Sequence, residues 1–386
     1  MTKKLHFDTA ELAERRARAC RAMQAAGLDG LLCFRQESMF WLTGYDTFGF
    51  VFFQCLYLGA DGRMTLLTRA PDRLQAAQTS VIEDVRIWVD APDAAPAREL
   101  RAILEGHGCA GRRLGVEWEA YGLTARNGQR LAAALDGLCA LEDASDLISR
   151  LRVVKSEAEL VYVRRAALLA DNALAAGYAL ARPGVDEGEI LAAMQAEVLR
   201  GGGDEPANEQ IIGSGPHALL CRTHTGRRRL DDPDMLTIEF AGAYRHYHAA
   251  LMRTLAIGRP DPRLADMHKA SVDALLACEE ALRPGRPIGE VFDAHARVLD
   301  AAGYAAMRMN ACGYSLGTTF APNWMDWPMF YRGQPYVAET GNVFFIHIIV
   351  FDAAAGLAMT LGRTSEVTAS GARPLSGAPL EFRASI

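Results

Sequence analysis

Paired-cysteine motifs are missing from this chain. Its eight cysteines, from Cys20 to Cys312, stand singly with no CxxC spacing, which argues against a structural zinc site of thiolates. A chain of 386 residues builds its own core and needs no disulfides. A basic excess is also missing: 41 Lys and Arg against 47 Asp and Glu give a net charge of −6, so no nucleic-acid face dominates. The one basic run, Arg227-Arg228-Arg229, sits beside Asp231, Asp232 and Asp234 and reads as a solvated turn. No hydrophobic run is long enough to span a bilayer; the longest, Val343 to Val350, is short and contains His347. The start of the chain has no apolar segment of the kind a secretory signal needs. Repeats and low-complexity stretches are absent. These absences lead to the expectation of a cytoplasmic protein with reduced thiols and neither nucleic-acid nor membrane partners. What is present is a globular balance, 50% hydrophobic and 23% charged, in a length that fits two domains.

The first 150 residues alternate helix and strand signals. Residues 9–26 have helical apolar spacing and stop at Gly27. Leu28 to Phe34, Phe50 to Leu58, Met64 to Thr68 and Arg113 to Glu117 read as strands, and Arg98 to Glu105 as a helix. That alternation predicts an α/β domain over 1–150. From 151 to 386 the order changes. Ser156 is a plausible N-cap for a helix running to about Leu180, and a second helix covers 186–200. Strands follow at 208–213, 235–243 and 246–257, then helices at 262–283 and 288–303. A strand-rich tail spans 309–375, with loops at 320–336 and 352–358. Helices, strands, helices, strands make an α+β domain.

Several stretches, in order, resemble the creatinase/prolidase family, whose "pita-bread" fold is shared with methionine aminopeptidases. They are Ala25 to Leu31 with Phe40-Trp41-Leu42-Thr43-Gly44-Tyr45, the junction Leu151 to Leu160, Ile211 to Gly215, Leu236 to Gly242, Arg253-Thr254, and Gly313-Tyr314-Ser315-Leu316-Gly317. The resemblance implies an α/β N-terminal domain followed by a pita-bread catalytic domain. Peptidases of this family hold two metal ions with two Asp, one His and two Glu. In this chain those positions fall on Glu239, Ala250, Tyr314, His347 and Gly362. One carboxylate of the expected four remains, so the resemblance implies a member without metal or other cofactor; Glu239 and His347 alone would make a weak site.

Metal-free chemistry has a precedent in the family in creatinase, and the pattern here is most similar to the ectoine hydrolase branch. The residues carrying that similarity are Gly313 to Gly317, Ala321 to Trp324, Tyr244 to Ala249 and Gly115-Val116-Glu117; Asn323 and the run Met325 to Pro328 depart from it. Glu239 lies mid-strand in an apolar run, where a carboxylate needs a partner or a raised pKa. It is the candidate nucleophile or base, against a structural role paired with Arg253. His347, in an apolar strand, His248 and Tyr314 complete the catalytic candidates, with a His protonating the leaving nitrogen. His246 and His248 alternate about Tyr247, which predicts one shared strand face; Arg222 and His224 are read the same way as substrate contacts. Trp324, Trp327 and Tyr331, with Phe330, are read as an aromatic wall for a cationic ligand. Glu117 and Tyr45 complete the substrate-binding candidates.

The resulting expectation is a metal-independent hydrolase of a non-peptide C–N bond in a small amidine, guanidino or N-acyl amino-acid compound. The alternatives are an Xaa-Pro peptidase-like metallopeptidase and a non-catalytic binding member of the fold. The resemblance, with the aromatics Phe40, Trp41, Tyr45, Phe48, Phe50, Phe52 and Phe53, also implies a homodimer in which one chain's N-terminal domain closes the other's site.

Overall fold

In the computed structural model, which describes residues 3–385, the chain divides between Arg152 and Val153 into two units. The N-terminal unit runs α1 (Thr9–Ala25), β1 (Gly30–Cys33), α2 (Gln36–Thr43), β2 (Cys55–Gly59), β3 (Met64–Arg69), α3 (Asp72–Thr79), β4 (Val85–Trp88), α4 (Pro96–Gly106), β5 (Arg113–Val116), α5 (Ala125–Leu135), β6 (Ala140–Asp143) and α6 (Leu147–Arg152). Its six strands form a mixed sheet in the order β4-β3-β2-β1-β5-β6. Side chains alternate across a strand, so Leu32, Tyr57 and Leu114 enter a core with α4 and α5, while Leu31, Cys33 and Leu58 enter another with α1, α2 and α6. The strand expected from Phe50 is shorter than that. Gly49–Val51 is a single 3₁₀ turn, the Phe53 carbonyl accepts from the Trp88 indole at 2.8 Å, and strand pairing begins only at Cys55.

The C-terminal unit contains α7 (Glu157–Leu180), α8 (Glu187–Arg200), β7 (Ile211–Ser214), β8 (Asp234–Tyr244), β9 (Tyr247–Ile257), α9 (Pro262–Ala281), α10 (Gly289–Ala301), β10 (Ala311–Ser315), β11 (Asp326–Tyr331), β12 (Val343–Asp352), β13 (Leu357–Thr368), β14 (Gly371–Pro374) and β15 (Arg383–Ser385). Its main sheet has the order β11-β10-β12-β13-β9-β8-β7. Strand β11 lies in the segment read as a loop. It carries Pro328 and pairs irregularly with β10, and an edge strand with a proline looks like a loop in sequence. Alternation sends Ile238, Phe240, Leu251 and Leu255 into a core with α7 and α8, and Ile346, Ile348, Leu361 and Met359 into a core with α9 and α10. By register these residues share one face. The other face of the sheet is left to carry the site.

Two close approaches fix this arrangement. Ala-rich α7 lies so near β8 that a Cβ on Gly242 would stand 2.2 Å from the Ala166 carbonyl oxygen. Gly313 (φ 150°) brings β10 against β12, where a Cβ would stand 2.2 Å from the Phe345 oxygen. At the head of α7 the Ser156 hydroxyl accepts from the Glu159 amide and the Glu159 carboxylate accepts from the Ser156 amide, a reciprocal capping box. The second Glu159 oxygen accepts from the buried Tyr247 hydroxyl at 2.7 Å, which ties the cap to the start of β9. Ser156→Ala should therefore cost about 1 kcal/mol in urea unfolding. Glu159→Ala should cost more, by about 1–3 kcal/mol, because it also removes an acceptor from a buried hydroxyl. Equal losses for the two variants would contradict the tie.

Candidate active site

Antiparallel pairing sets side chains in rows across a sheet. One row runs Ile211, Glu239, Met252, Gly362, His347, each paired with the next. It lies on the face away from the helices, since the flanking Ile238, Leu251, Leu361 and Ile348 point into the helix-side cores. Glu239 lines a shallow, solvent-open cavity of about 20 Å³, together with Leu220, Cys221, Thr237, Met252, Ile349, Phe351 and Thr360. Arg253, the suspected structural partner of Glu239, is on the opposite face and donates to the Met252 and Gly362 carbonyls.

Burial pushes the Glu239 carboxyl up to about 7, against the opposing pull of the Arg222 guanidinium and a hydrogen bond from the Tyr314 hydroxyl. Trp324 sets the direction of that hydrogen bond. Its indole can only donate, and it does so to the Tyr314 oxygen at 2.8 Å, so the phenol's own proton turns to Glu239. Burial, with the Glu239 charge nearby, holds Tyr314 well above its usual range and the Cys221 thiol above its own. The His347 ring packs 5.7 Å from that of Tyr314, and its Nδ1 has no hydrogen-bond partner. Burial, assisted by neighbouring His295, lowers His347 to about 3. A protonated His347 acting as the acid is thereby corrected: at neutral pH this ring is uncharged. His295 on α10, not foreseen from sequence, is itself buried and lowered to about 4, first by burial and then by Arg308.

Other candidates take different places. His248 is fully engaged: Nε2 accepts from the Ala207 amide at 2.9 Å and Nδ1 meets the Thr319 hydroxyl at 3.1 Å. Burial lowers it to about 3, so it pins two loops and has no nitrogen left for catalysis. His246 does not share its face, because Arg245 and His246 form the β8–β9 turn with φ of 53° and 64°; its ring stacks on Phe320 at 4.2 Å. Arg222 and His224 lie in a turn and not on a strand; Arg222 stays within electrostatic reach of Glu239, while His224 is exposed and pairs with Glu209 at 2.7 Å. The aromatic wall does not assemble. Trp324 serves Tyr314, Trp327 packs edge-on against Tyr336 at 5.3 Å, Phe330 enters the core against Phe344 at 4.7 Å, and Tyr331 is exposed.

Glu117 and Tyr45 are interior residues of the N-terminal unit. The Glu117 carboxylate accepts from the Phe34 and Arg35 amides and the Ser38 hydroxyl at the start of α2, where a helix N-terminus favours negative charge. Tyr45 is fully buried in the core beside Trp41. The cavity residues Thr237, Ile349, Phe351 and Thr360 were legible in principle, standing two or four positions from Glu239, His347 or Gly362 on alternating strands. Cys221 carried no such signal.

The family's two metal ions do not fit the side chains present. Ala250 and Gly362 offer no ligand. The Phe345 ring fills the space beside Gly362, where even a Cβ would come within 2.9 Å of it. The Tyr314 oxygen already accepts from the Trp324 indole. Among the described residues, no three His, Cys, Asp or Glu side chains of the C-terminal unit lie close enough to share an ion.

The titrations have a signature in stability. The unfolded Glu239 carboxyl ionises near 4.5 and the folded one near 7, so ionisation destabilises the fold as pH rises between them. Glu239→Gln should match the wild type below about pH 4.5 and exceed it by up to about 3 kcal/mol above pH 7. Tyr314→Phe should move the transition upward by removing the hydrogen bond that favours the charged form. The histidine sign is opposite: the unfolded ring binds protons from 6.5 downward and folded His347 only near 3, so stability from this residue is lost as pH falls through that window. His347→Phe should flatten the acid limb. Urea unfolding of each variant from pH 4 to 8 measures all three; a pH-independent Glu239→Gln difference would refute the raised carboxyl.

Comparison with known proteins agrees with this architecture. Residues 161–369 match the model of metallopeptidase family M24, and residues 15–154 that of the creatinase/prolidase N-terminal domain. The chain is 29% identical to an uncharacterized hydrolase/peptidase, y4tM, of Sinorhizobium fredii and 26% identical to the ectoine hydrolase of Halomonas elongata, each over 98% of both chains. Among solved structures, dipeptidase PepE from Mycobacterium ulcerans superposes with a TM-score of 0.84 at 28% identity, over 98% of this chain and 99% of that one. A prolidase from Thermococcus sibiricus superposes with a TM-score of 0.88 at 18% identity, over 98% and 100%, a likeness of fold. The chain, with its creatinase/prolidase N-terminal domain and pita-bread C-terminal domain, belongs among the hydrolases of metallopeptidase family M24.

Proposed function

We propose that this protein hydrolyses a non-peptide C–N bond in a small amidine, guanidino or N-acyl amino-acid compound without metal. The observation that carries the proposal is the Glu239 carboxyl, buried to a pKa of about 7 and held by Tyr314 in a site stripped of the family's ligands. A group poised near the working pH both takes and returns protons. Written for an amidinium, ionised Glu239 takes a proton from water as the water oxygen bonds to the electrophilic carbon. The same proton then passes to the departing nitrogen as its bond to carbon breaks, and the hydroxyl proton left on the new carbonyl oxygen follows it to the amine, so the products are an amide and an ammonium ion. The cationic substrate supplies the electrophile that two metal ions would otherwise create. Tyr314 supports the carboxylate, and neutral His347 packs against the Tyr314 ring at 5.7 Å. Arg222 remains a candidate substrate contact at the rim. The similarity to an ectoine hydrolase supports the substrate class.

The reading extends to a cytoplasmic homodimer. Its eight cysteines are all free, and among the described residues no helix is long and apolar enough to cross a membrane. Of the aromatics in the N-terminal unit, Phe40, Trp41 and Tyr45 are core, whereas Phe48 is 82% and Phe52 49% exposed beside Val51 at 63%. Light scattering at micromolar concentration should give twice the chain mass, and Phe48→Ser should lower it.

The functional test is a turnover screen of cyclic amidines, guanidino acids and N-acyl amino acids against Xaa-Pro dipeptides, with and without chelator. Chelation should leave turnover intact, and Glu239→Gln should reduce it by at least about a hundredfold in a normally folded protein. Two tightly bound ions per chain on elemental analysis, with Xaa-Pro cleavage lost to chelator, would overturn the proposal in favour of a metallopeptidase.

A further inference from the structure

Beyond Glu239 the cavity changes character. Thr237 donates its hydroxyl to the Gly213 and Ala218 carbonyls at 3.2 and 3.3 Å. The Thr360 hydroxyl is paired with that of Thr254 at 3.0 Å. With both hydroxyls committed, the wall that remains is apolar apart from the Cys221 thiol: Ile211, Ala218, Leu220, Met252, Ile349 and Phe351. Ile349 and Phe351 follow His347 on the same face of β12, and the first pairs with Thr360 and the second with Ala358. Two residues along a strand is about 7 Å, so Ile349 stands roughly one short alkyl chain beyond the His347–Glu239 row. The room it encloses is small, about 20 Å³, and the rest of the opening is solvent, well below the pockets that take drug-sized ligands.

We propose that this compartment receives a short, uncharged alkyl substituent of the substrate, about three or four carbons long, and that Ile349 and Phe351 set its length. The assignment rests on the proposed reaction at Glu239 and narrows its substrate class: the group flanking the reacting carbon is aliphatic on this side. A second charge is excluded there, since a carboxylate entering this wall would lose its hydration with no partner to replace it. An apolar group loses only unfavourable hydration.

The test uses acetamidine, butyramidine, hexanamidine and 3-amidinopropionate as probes, with acetamide, butyramide and hexanamide as their neutral counterparts. Binding to the wild type, Glu239→Gln, Ile349→Ala and Phe351→Ala is measured by calorimetry at pH 8. In the wild type, butyramidine should bind about fifteenfold tighter than acetamidine, from roughly fourfold for each of two buried methylenes. Hexanamidine should gain nothing further, and 3-amidinopropionate should bind more weakly than butyramidine. Ile349→Ala and Phe351→Ala should each shift the optimum toward hexanamidine; Ile349→Val, which keeps most of the packing, gives a smaller shift if the alanine variants unfold. Glu239→Gln should weaken the amidines and leave the length dependence of the amides in place. Amidines that bind without chain-length preference, or a preference that neither wall variant moves, overturn the compartment. Loss of amidine binding while the amides keep their length preference overturns the amidinium reading and supports the compartment.

Discussion

A carboxylate in an apolar strand, without the side chains that would hold metal ions beside it, is the constraint around which the C-terminal unit is organised. In the dimetal members of this family two ions would neutralise the acidic side chains. Here Ala250 and Gly362 remove that charge, and the remaining Glu239 is balanced by softer means. Arg222 acts from a distance through solvent-exposed space, and Tyr314 gives one hydrogen bond. The balance is incomplete, and the incompleteness is what lifts the carboxyl to about 7. A fully paired Glu239 would be permanently ionised and a poor proton carrier; an unpaired one would stay protonated.

Rigidity of that arrangement comes from the sheet. Five strands contribute the row from Ile211 to His347, and a slip of one residue in any of them would turn its member into a helix-side core. Close backbone packing at Gly242 and Gly313 resists such slips. The Thr364 hydroxyl, bonded to both the amide and the carbonyl of Ala250, secures the end of the β9–β13 pairing. Trp324 extends the order outward by fixing the Tyr314 proton. The site is therefore held by backbone register and one short donor chain.

Three buried histidines give the unit a common electrostatic character. His248, His295 and His347 are all held far below the ordinary imidazole range, chiefly by burial. Of the three, His347 shares the Glu239 row. His248 is a structural pin whose two nitrogens satisfy the Ala207 amide and the Thr319 hydroxyl. The same residue type thus takes different places, distinguished by which nitrogens are already occupied.

The sequence alone determined the features that depend on local pattern or on residue type. The Ser156-x-x-Glu159 cap needs only four adjacent residues, the helix–strand order needs only periodicity, and the loss of ligands at Ala250 and Gly362 follows from side chains that have no donor atom. Glu239 stood out because a carboxylate in an apolar strand is costly wherever the strand goes. Tertiary structure decided everything that depends on facing. Alternation failed for His246 because positive φ at Arg245 and His246 puts the turn one residue later than the strand pattern suggests. Trp324, Trp327, Phe330 and Tyr331 are neighbours in sequence, yet an irregular edge strand sends each to a different surrounding. Glu117 and Tyr45 look like polar binding groups until the chain closes over them, and Ile349 and Phe351 look like core until register turns them toward a cavity. Local chemistry is written residue by residue, whereas burial and direction are set by segments far apart in the chain.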